Sequence, residues 1–243
     1  MNAQPLTPIR EILRRTLAFY RAHARLILIV TFPVVAFVDV TIGAGLGELT
    51  AGVHKKVPLA DGYITIAAGY FVTVPLVTVM LARAVVIDVR SGSTATISAV
   101  AEQGLDLFLP ALVVVVIVAT AVLCGLFILI VPGIYVAVSW YFVVQAVAVD
   151  GHRGFGAAMA SAAAVRGRWW HTAGILISLQ LLAAIANALV TSAFEALATA
   201  VNSAAVVIAG NVLIDTIALP FVAIGATLYY LELRGRPTGT AQV

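Results

Sequence analysis

Two acids stand inside apolar stretches of this 243-residue chain, Asp39 and Asp215. A carboxylate at the centre of a bilayer costs about 3 kcal/mol on insertion scales, so such a residue faces a cavity or a partner. Asn187, Asn202, Asn211, Gln145 and Gln180 are amides in similar surroundings and could join the acids in a polar interior. The chemistry open to such a set is a substrate or proton site within a membrane. Two ionised carboxylates close together repel, so a shared site requires that one carries a proton or faces a cation. The plainer reading puts both acids at the outer headgroup level, at the ends of shorter spans. Other reaction chemistry lacks its residues. His23, His54, His152 and His171 have no metal-ligand spacing, and no HExxH occurs. There is no GxSxG nucleophile elbow. Gly43-Ala44-Gly45-Leu46-Gly47 ends an apolar span instead of linking a strand to a helix, so it reads as close-packed glycines and not a phosphate cradle. Cys124 stands alone in an apolar run as a small hydrophobe. No catalytic residue, metal or cofactor is expected, and the chain reads as a non-enzyme.

The elements that would position these residues are set by composition. Hydrophobic residues make up 62% of the chain and charged residues 10%, with a mean hydropathy of +1.09. A soluble domain is nearer half apolar and a quarter charged. Cytosolic enzymes, nucleic-acid-binding domains and disordered chains are thereby excluded, and no nucleic-acid partner is expected. A spanning helix needs about 20 apolar residues, and six such stretches fit: 26–46, 63–82, 107–131, 134–149, 172–194 and 209–231. The 43 residues from 107 to 149 carry no charge, enough for two helices, and Pro132-Gly133 is the expected hairpin turn between them. Strand alternation is missing from runs such as 113–118, so a membrane barrel is excluded. The fold class is all-α, a single polytopic membrane domain over 1–243 with six transmembrane helices and cytoplasmic interfacial helices.

Charge sets the expected topology. With the N-terminus inside, the cytoplasmic side holds all twelve arginines and the outer side only Lys55 and Lys56. The positive-inside rule then puts both termini in the cytoplasm. The long charged stretch before the first span is unlike the short n-region of a cleaved signal peptide. Residues 9–25 form an amphipathic segment. Ile9, Ile12, Leu13, Thr16, Leu17, Tyr20, Ala24 and Ile27 share one face, with Arg10, Arg14, Arg21 and Arg25 beside it. Such a helix is expected to lie in the membrane interface, with its apolar face among acyl chains. Weaker versions run from Ile97 to Phe108 and from Phe155 to Trp170, the last carrying Arg166 and Arg168. Asp88-Val-Arg90, Asp150-Gly-His-Arg153 and Glu232-Leu-Arg234 close the even spans alike, which suggests three repeats or simply the positive-inside bias. Trp169, Trp170, Tyr229 and Tyr230 fit an interfacial aromatic belt. Pro33, Pro75 and Pro220 lie inside spans and kink them.

The run Ile130-Val131-Pro132-Gly133-Ile134-Tyr135-Val136-Ala137-Val138 resembles the signature of the glycerophosphoryl diester phosphodiesterase membrane-domain family. Asp150-Gly151, Val165-Arg166-Gly167-Arg168-Trp169-Trp170, Tyr229-Tyr230-Leu231-Glu232-Leu233-Arg234 and the opening Ile9…Leu13…Phe19-Tyr20 are similar to its other landmarks, so the resemblance covers nearly the whole chain. It departs from the family at Ser139-Trp140, where a basic residue often follows the signature. The resemblance implies a stand-alone membrane domain, because six spans leave no room for a catalytic barrel of about 250 residues.

The leading functional expectation is a non-catalytic membrane protein that organises or contacts envelope lipids or a partner protein. Arg10, Arg14, Arg21, Arg25, Arg166 and Arg168 would then meet anionic lipid, worth about 1 kcal/mol per basic residue near the surface. The alternatives are a small transporter or lipid flippase using Asp39 and Asp215, or the regulatory membrane half of a split phosphodiesterase. A polar cavity through the bundle would favour the transporter, and a closed apolar interior the scaffold. The arginine-dominated basic usage points to a bacterial inner membrane.

Overall fold

The computed structural model describes residues 7–45, 63, 67–92 and 95–235. These are almost entirely helical and contain no strand. Helix α1 runs Ile9–Ala22, α2 Ala24–Gly45, α3 Gly69–Ser91, α4 Ile97–Ile128, α5 Ile130–Ser139, α6 Val143–Asp150, α7 Phe155–Val165, α8 Trp169–Val201 and α9 Ala204–Leu233. Six segments are long and apolar enough to cross a membrane: α2, α3, α4, α5 with α6, α8 and α9. The chain is therefore an all-α, multi-pass membrane bundle.

The last helix is the hub. Helix α9 packs against α8, α2, α3 and α1. Its residues from Ala223 to Leu231 are all buried, without periodicity, because helices surround it on every side. Helices in lipid gain no hydrophobic drive from each other, so close approach by small residues matters more. Gly225 is such a point. A β-carbon there would fall 2.7 Å from Leu179 and 3.1 Å from the Thr16 hydroxyl, so the glycine lets α1 and α8 close on α9.

Several boundaries differ from the sequence expectations. The turn between the third and fourth spans falls at Leu129, whose φ of −156° and ψ of 133° are extended, and not at Pro132-Gly133. Pro132 sits in the first turn of α5, where no backbone N–H has an intrahelical partner and proline loses nothing. Gly133 has a packing role instead. Its Cα is 2.9 Å from where a β-carbon on Gly125 would stand, so two glycines bring α4 and α5 together. The amphipathic stretch from Ile97 to Phe108 is no separate interfacial helix but the first turns of α4, since nothing between Ile97 and Ile128 breaks the helix.

Helix α1 also departs from expectation. It ends at Ala22, and part of its apolar face is covered by protein, while Leu17 on the same face is exposed. Ile12 and Thr16 are buried, against α9 and α8. The His171 ring nitrogen lies 3.0 Å from the Thr7 carbonyl oxygen and ties the approach to α1 to the start of α8.

Candidate functional site

The fourth span is discontinuous. Helix α5 ends at Ser139, a turn covers Trp140–Phe142, and α6 resumes at Val143. A break leaves backbone groups without helical partners, which is tolerable in a membrane only if something else satisfies them. Ser161, at the buried face of α7, does this with one hydroxyl. It accepts from the Phe142 N–H at 3.1 Å and donates to the Ser139 carbonyl at 2.8 Å. The alanine-rich pattern of α7 follows from this duty, because Ala157 and Ala158 are also buried and small side chains let the helix reach the break.

A second irregularity faces the same region. Residues Gly69–Thr73 form a π-helical turn immediately before Pro75. Proline cannot donate to the carbonyl four residues back and its ring crowds that carbonyl, so the preceding turn widens. Tyr70 lies on that turn.

Between these breaks and α8 and α9 lies a cavity of about 710 Å³. Most of its wall is valine and alanine. Asp215 from α9, Asn187 and Gln180 from α8, and Gln145 from α6 supply polar groups, with Tyr70, Trp140 and Tyr141 as aromatics. The Gln180 side-chain amide donates to the Tyr141 hydroxyl at 3.2 Å. Gln145 is only 2% exposed, and its Oε1 has no hydrogen-bond partner. Among the described residues no arginine, lysine or histidine lines this cavity.

Asp39 and Asp215 come from packed neighbours, α2 and α9, joined by Val35 against Ile208 and Val212. The two carboxyl groups interact electrostatically. Both are part-buried, and Asp39 Oδ2 has no hydrogen-bond partner. Of the two, only Asp215 is among the residues lining the cavity. Of the amides singled out in sequence, Gln145, Gln180 and Asn187 line the cavity, whereas Asn202 and Asn211 do not. Tyr70, Trp140 and Tyr141 were missed, because their orientation depends on two helix irregularities. Pro75 is the one sequence signal that points to either.

At the opposite ends of the spans, ion pairs tie the elements together. His23 lies 3.2 Å from Asp88, and Arg234 3.4 Å from Asp150, which also accepts from the Tyr230 hydroxyl at 2.5 Å. Arg15 is 3.8 Å from Glu232 and 2.9 Å from Glu11. The acids that close the second, fourth and sixth spans thus each meet a base from another helix or from the chain's end. Arg14 and Arg15 hold the Glu11 carboxyl down at about 2. Burial pushes the Tyr20 phenol up.

The sequence-derived lipid contacts divide. Arg10, Arg14, Arg21, Arg25 and Arg166 are exposed, while Arg168 is half-buried. The aromatic belt is corrected in part. Trp170 is 83% exposed, and Trp169 stacks on Tyr135. Tyr229 and Tyr230, however, are fully buried and belong to no lipid-facing belt. Their hydroxyls find protein partners, Thr172 at 3.2 Å and Asp150, so neither needs a headgroup. Cys124 is free and exposed. Among the described residues no group of three His, Cys, Asp or Glu side chains is placed to hold a metal. Gly43 and Gly45 are the helical end of α2; Leu46, Gly47, His54, Lys55, Lys56 and Arg236 lie outside the described residues. Comparison of the chain with protein-family models, with curated proteins and with solved structures finds no match.

Proposed function

We propose that this protein is a small-molecule carrier of the membrane, which takes up a mostly apolar molecule in the cavity beside the broken fourth span. The cavity carries this reading. Its volume lies within the about 300–1,000 Å³ typical of small-molecule sites, and its apolar wall with a few converging polar groups has the composition of such sites. Discontinuous helices lining a substrate site are a recurring feature of transporters, and the broken fourth span lines this cavity together with the π-helical turn of α3. Both termini are cytoplasmic in this proposal, in a bacterial inner membrane, on the twelve-to-two bias of basic residues. Reporter fusions at Lys55 and Ala200 should then report the outside, and fusions at His152 and Val243 the inside.

The purified protein in nanodiscs should bind the neutral fluorophore N-phenylnaphthylamine saturably. Ala184→Trp, which fills the cavity from α8, should remove the saturable component. Saturable binding that survives Ala184→Trp, or none in the parent protein, overturns the carrier reading. A second reading, contact with anionic lipid, rests on the exposure of Arg10, Arg14 and Arg21 on α1 and of Arg25 at the start of α2. Binding of these arginines to anionic headgroups should weaken with salt. Equal affinity for neutral and anionic bilayers would remove it. The resemblance to the phosphodiesterase membrane domains fits either reading and implies no catalysis.

A further inference from the structure

We propose that the cavity selects lipophilic organic cations, and that Asp215 is the residue that reads their charge. This rests on the carrier reading and names its substrate class. Among the described lining residues Asp215 is the one carboxylic acid, and none of them is a basic side chain that could neutralise it. An ionised carboxylate in an apolar interior requires a proton or a cation. Asp39, on the neighbouring helix, supplies no counter-charge.

The remaining wall fits the other features of such a ligand. Trp140, Tyr141 and Tyr70 line the space, and aromatic faces attract cations strongly where water is excluded. The Gln180 and Asn187 amides on the wall carry carbonyl oxygens, so a protonated amine has acceptors to meet. The valines and alanines accept an apolar body. Competing classes fit worse. A phosphate or carboxylate headgroup would face Asp215 with no arginine or lysine among the described lining residues to receive it. A bare metal ion needs about six oxygen ligands at close range, and a space of about 710 Å³ is far too large for one.

The test uses the full chain in phosphatidylcholine nanodiscs, whose surface has no net charge to attract cations. The probes are tetraphenylphosphonium, its near-isosteric anion tetraphenylborate, and neutral N-phenylnaphthylamine. Saturable binding of tetraphenylphosphonium and none of tetraphenylborate is expected. Asp215→Asn should lower the affinity for tetraphenylphosphonium about tenfold or more relative to the neutral probe. Asn187→Asp places a second carboxylate on the wall and should raise that affinity, which keeps the proposal testable if Asp215→Asn fails to fold. Cation and anion binding alike, or an Asn187→Asp variant with no gain, overturns the cation proposal while saturable neutral-probe binding leaves the carrier reading standing. Loss of neutral-probe binding in the parent protein overturns both.

Discussion

The bridge made by Ser161 gives the sharpest prediction. Ser161→Ala deletes one oxygen and orphans two backbone groups, the Phe142 N–H and the Ser139 carbonyl, at a site with 0% exposure. A buried group left without a partner costs about 1–3 kcal/mol, so two set an upper bound of about 6 kcal/mol. Interhelical hydrogen bonds measured in membranes average about 0.6 kcal/mol, and two of those set a lower bound of about 1 kcal/mol. The expected loss lies between these bounds, at least severalfold in the folding equilibrium. Ser192→Ala is the matched control. Its hydroxyl donates at 2.6 Å to the Ala188 carbonyl, four residues back in the same helix, where the backbone bond remains when the hydroxyl is lost. Reversible unfolding in mixed micelles, read by tryptophan fluorescence, compares the two. Amide exchange adds a local readout, because the Phe142 N–H should lose protection in Ser161→Ala alone. The reasoning is refuted if Ser161→Ala lies within about 0.5 kcal/mol of the parent protein, or if Ser192→Ala is equally damaging.

Three further outcomes follow from the packing. Gly133→Ala would put a β-carbon 2.6 Å from both the backbone nitrogen and the side chain of Leu126; overpacking of this kind costs about 1–3 kcal/mol in the same unfolding assay. Gly174→Ala, whose nearest neighbour is Ile9 Cδ1 at 3.6 Å, should stay within about 0.5 kcal/mol. Tyr230→Phe removes a hydrogen bond to the Asp150 carboxylate, whose side chain is 4% exposed. That should cost about 1.5–3 kcal/mol, and a silent substitution would refute that cost. The Glu11 carboxyl is depressed from 4.5 to about 2 by Arg14 and Arg15. Its contribution to holding those arginines is full above about pH 4.5 and is lost as pH falls through about 2. Proteolysis of α1 should therefore accelerate over that window in the parent protein, and Glu11→Gln should lack that component.

The number of spans was legible because apolar length is a local property, and six runs survive any reasonable choice of boundary. Their ends were less legible. Leucine has no turn preference, so nothing at Leu129 marks the hairpin; two glycines, eight residues apart, set it by packing. Tyr229 and Tyr230 precede Glu232 and Arg234, which reads locally as a rim. Their burial is tertiary: Phe142, at the break in the fourth span, packs on both rings, and Thr172 and Asp150 meet their hydroxyls. Thr16 was the available clue: a small hydroxyl within an otherwise apolar stripe, at the point where Gly225 approaches. The site was legible by residue type and not by position. Intramembrane amides and acids are visible in any hydropathy reading, but which of them meet is decided by helix rotation and by the breaks.

That distinction also explains why the cavity gathers the residues it does. A serine or threonine in a membrane helix can donate its hydroxyl to the carbonyl four residues back. Thr16, Thr120, Ser178, Thr216 and Thr227 all do so, and therefore call for nothing from the rest of the bundle. Carboxylates cannot make that bond, and amides carry more donor and acceptor sites than one carbonyl can satisfy. They must find another side chain, a break in a helix or a bound molecule. Gln180 found Tyr141, and Asn187 accepts a hydrogen bond from Thr191. Gln145 Oε1 and Asp39 Oδ2 found none. A polar group left unpaired in a membrane interior costs free energy unless something fills the role. Of the unpaired groups, Gln145 belongs to the described lining of the cavity, whereas Asp39, Tyr20, Thr31, Thr73 and Glu232 hold their unpaired oxygens outside it.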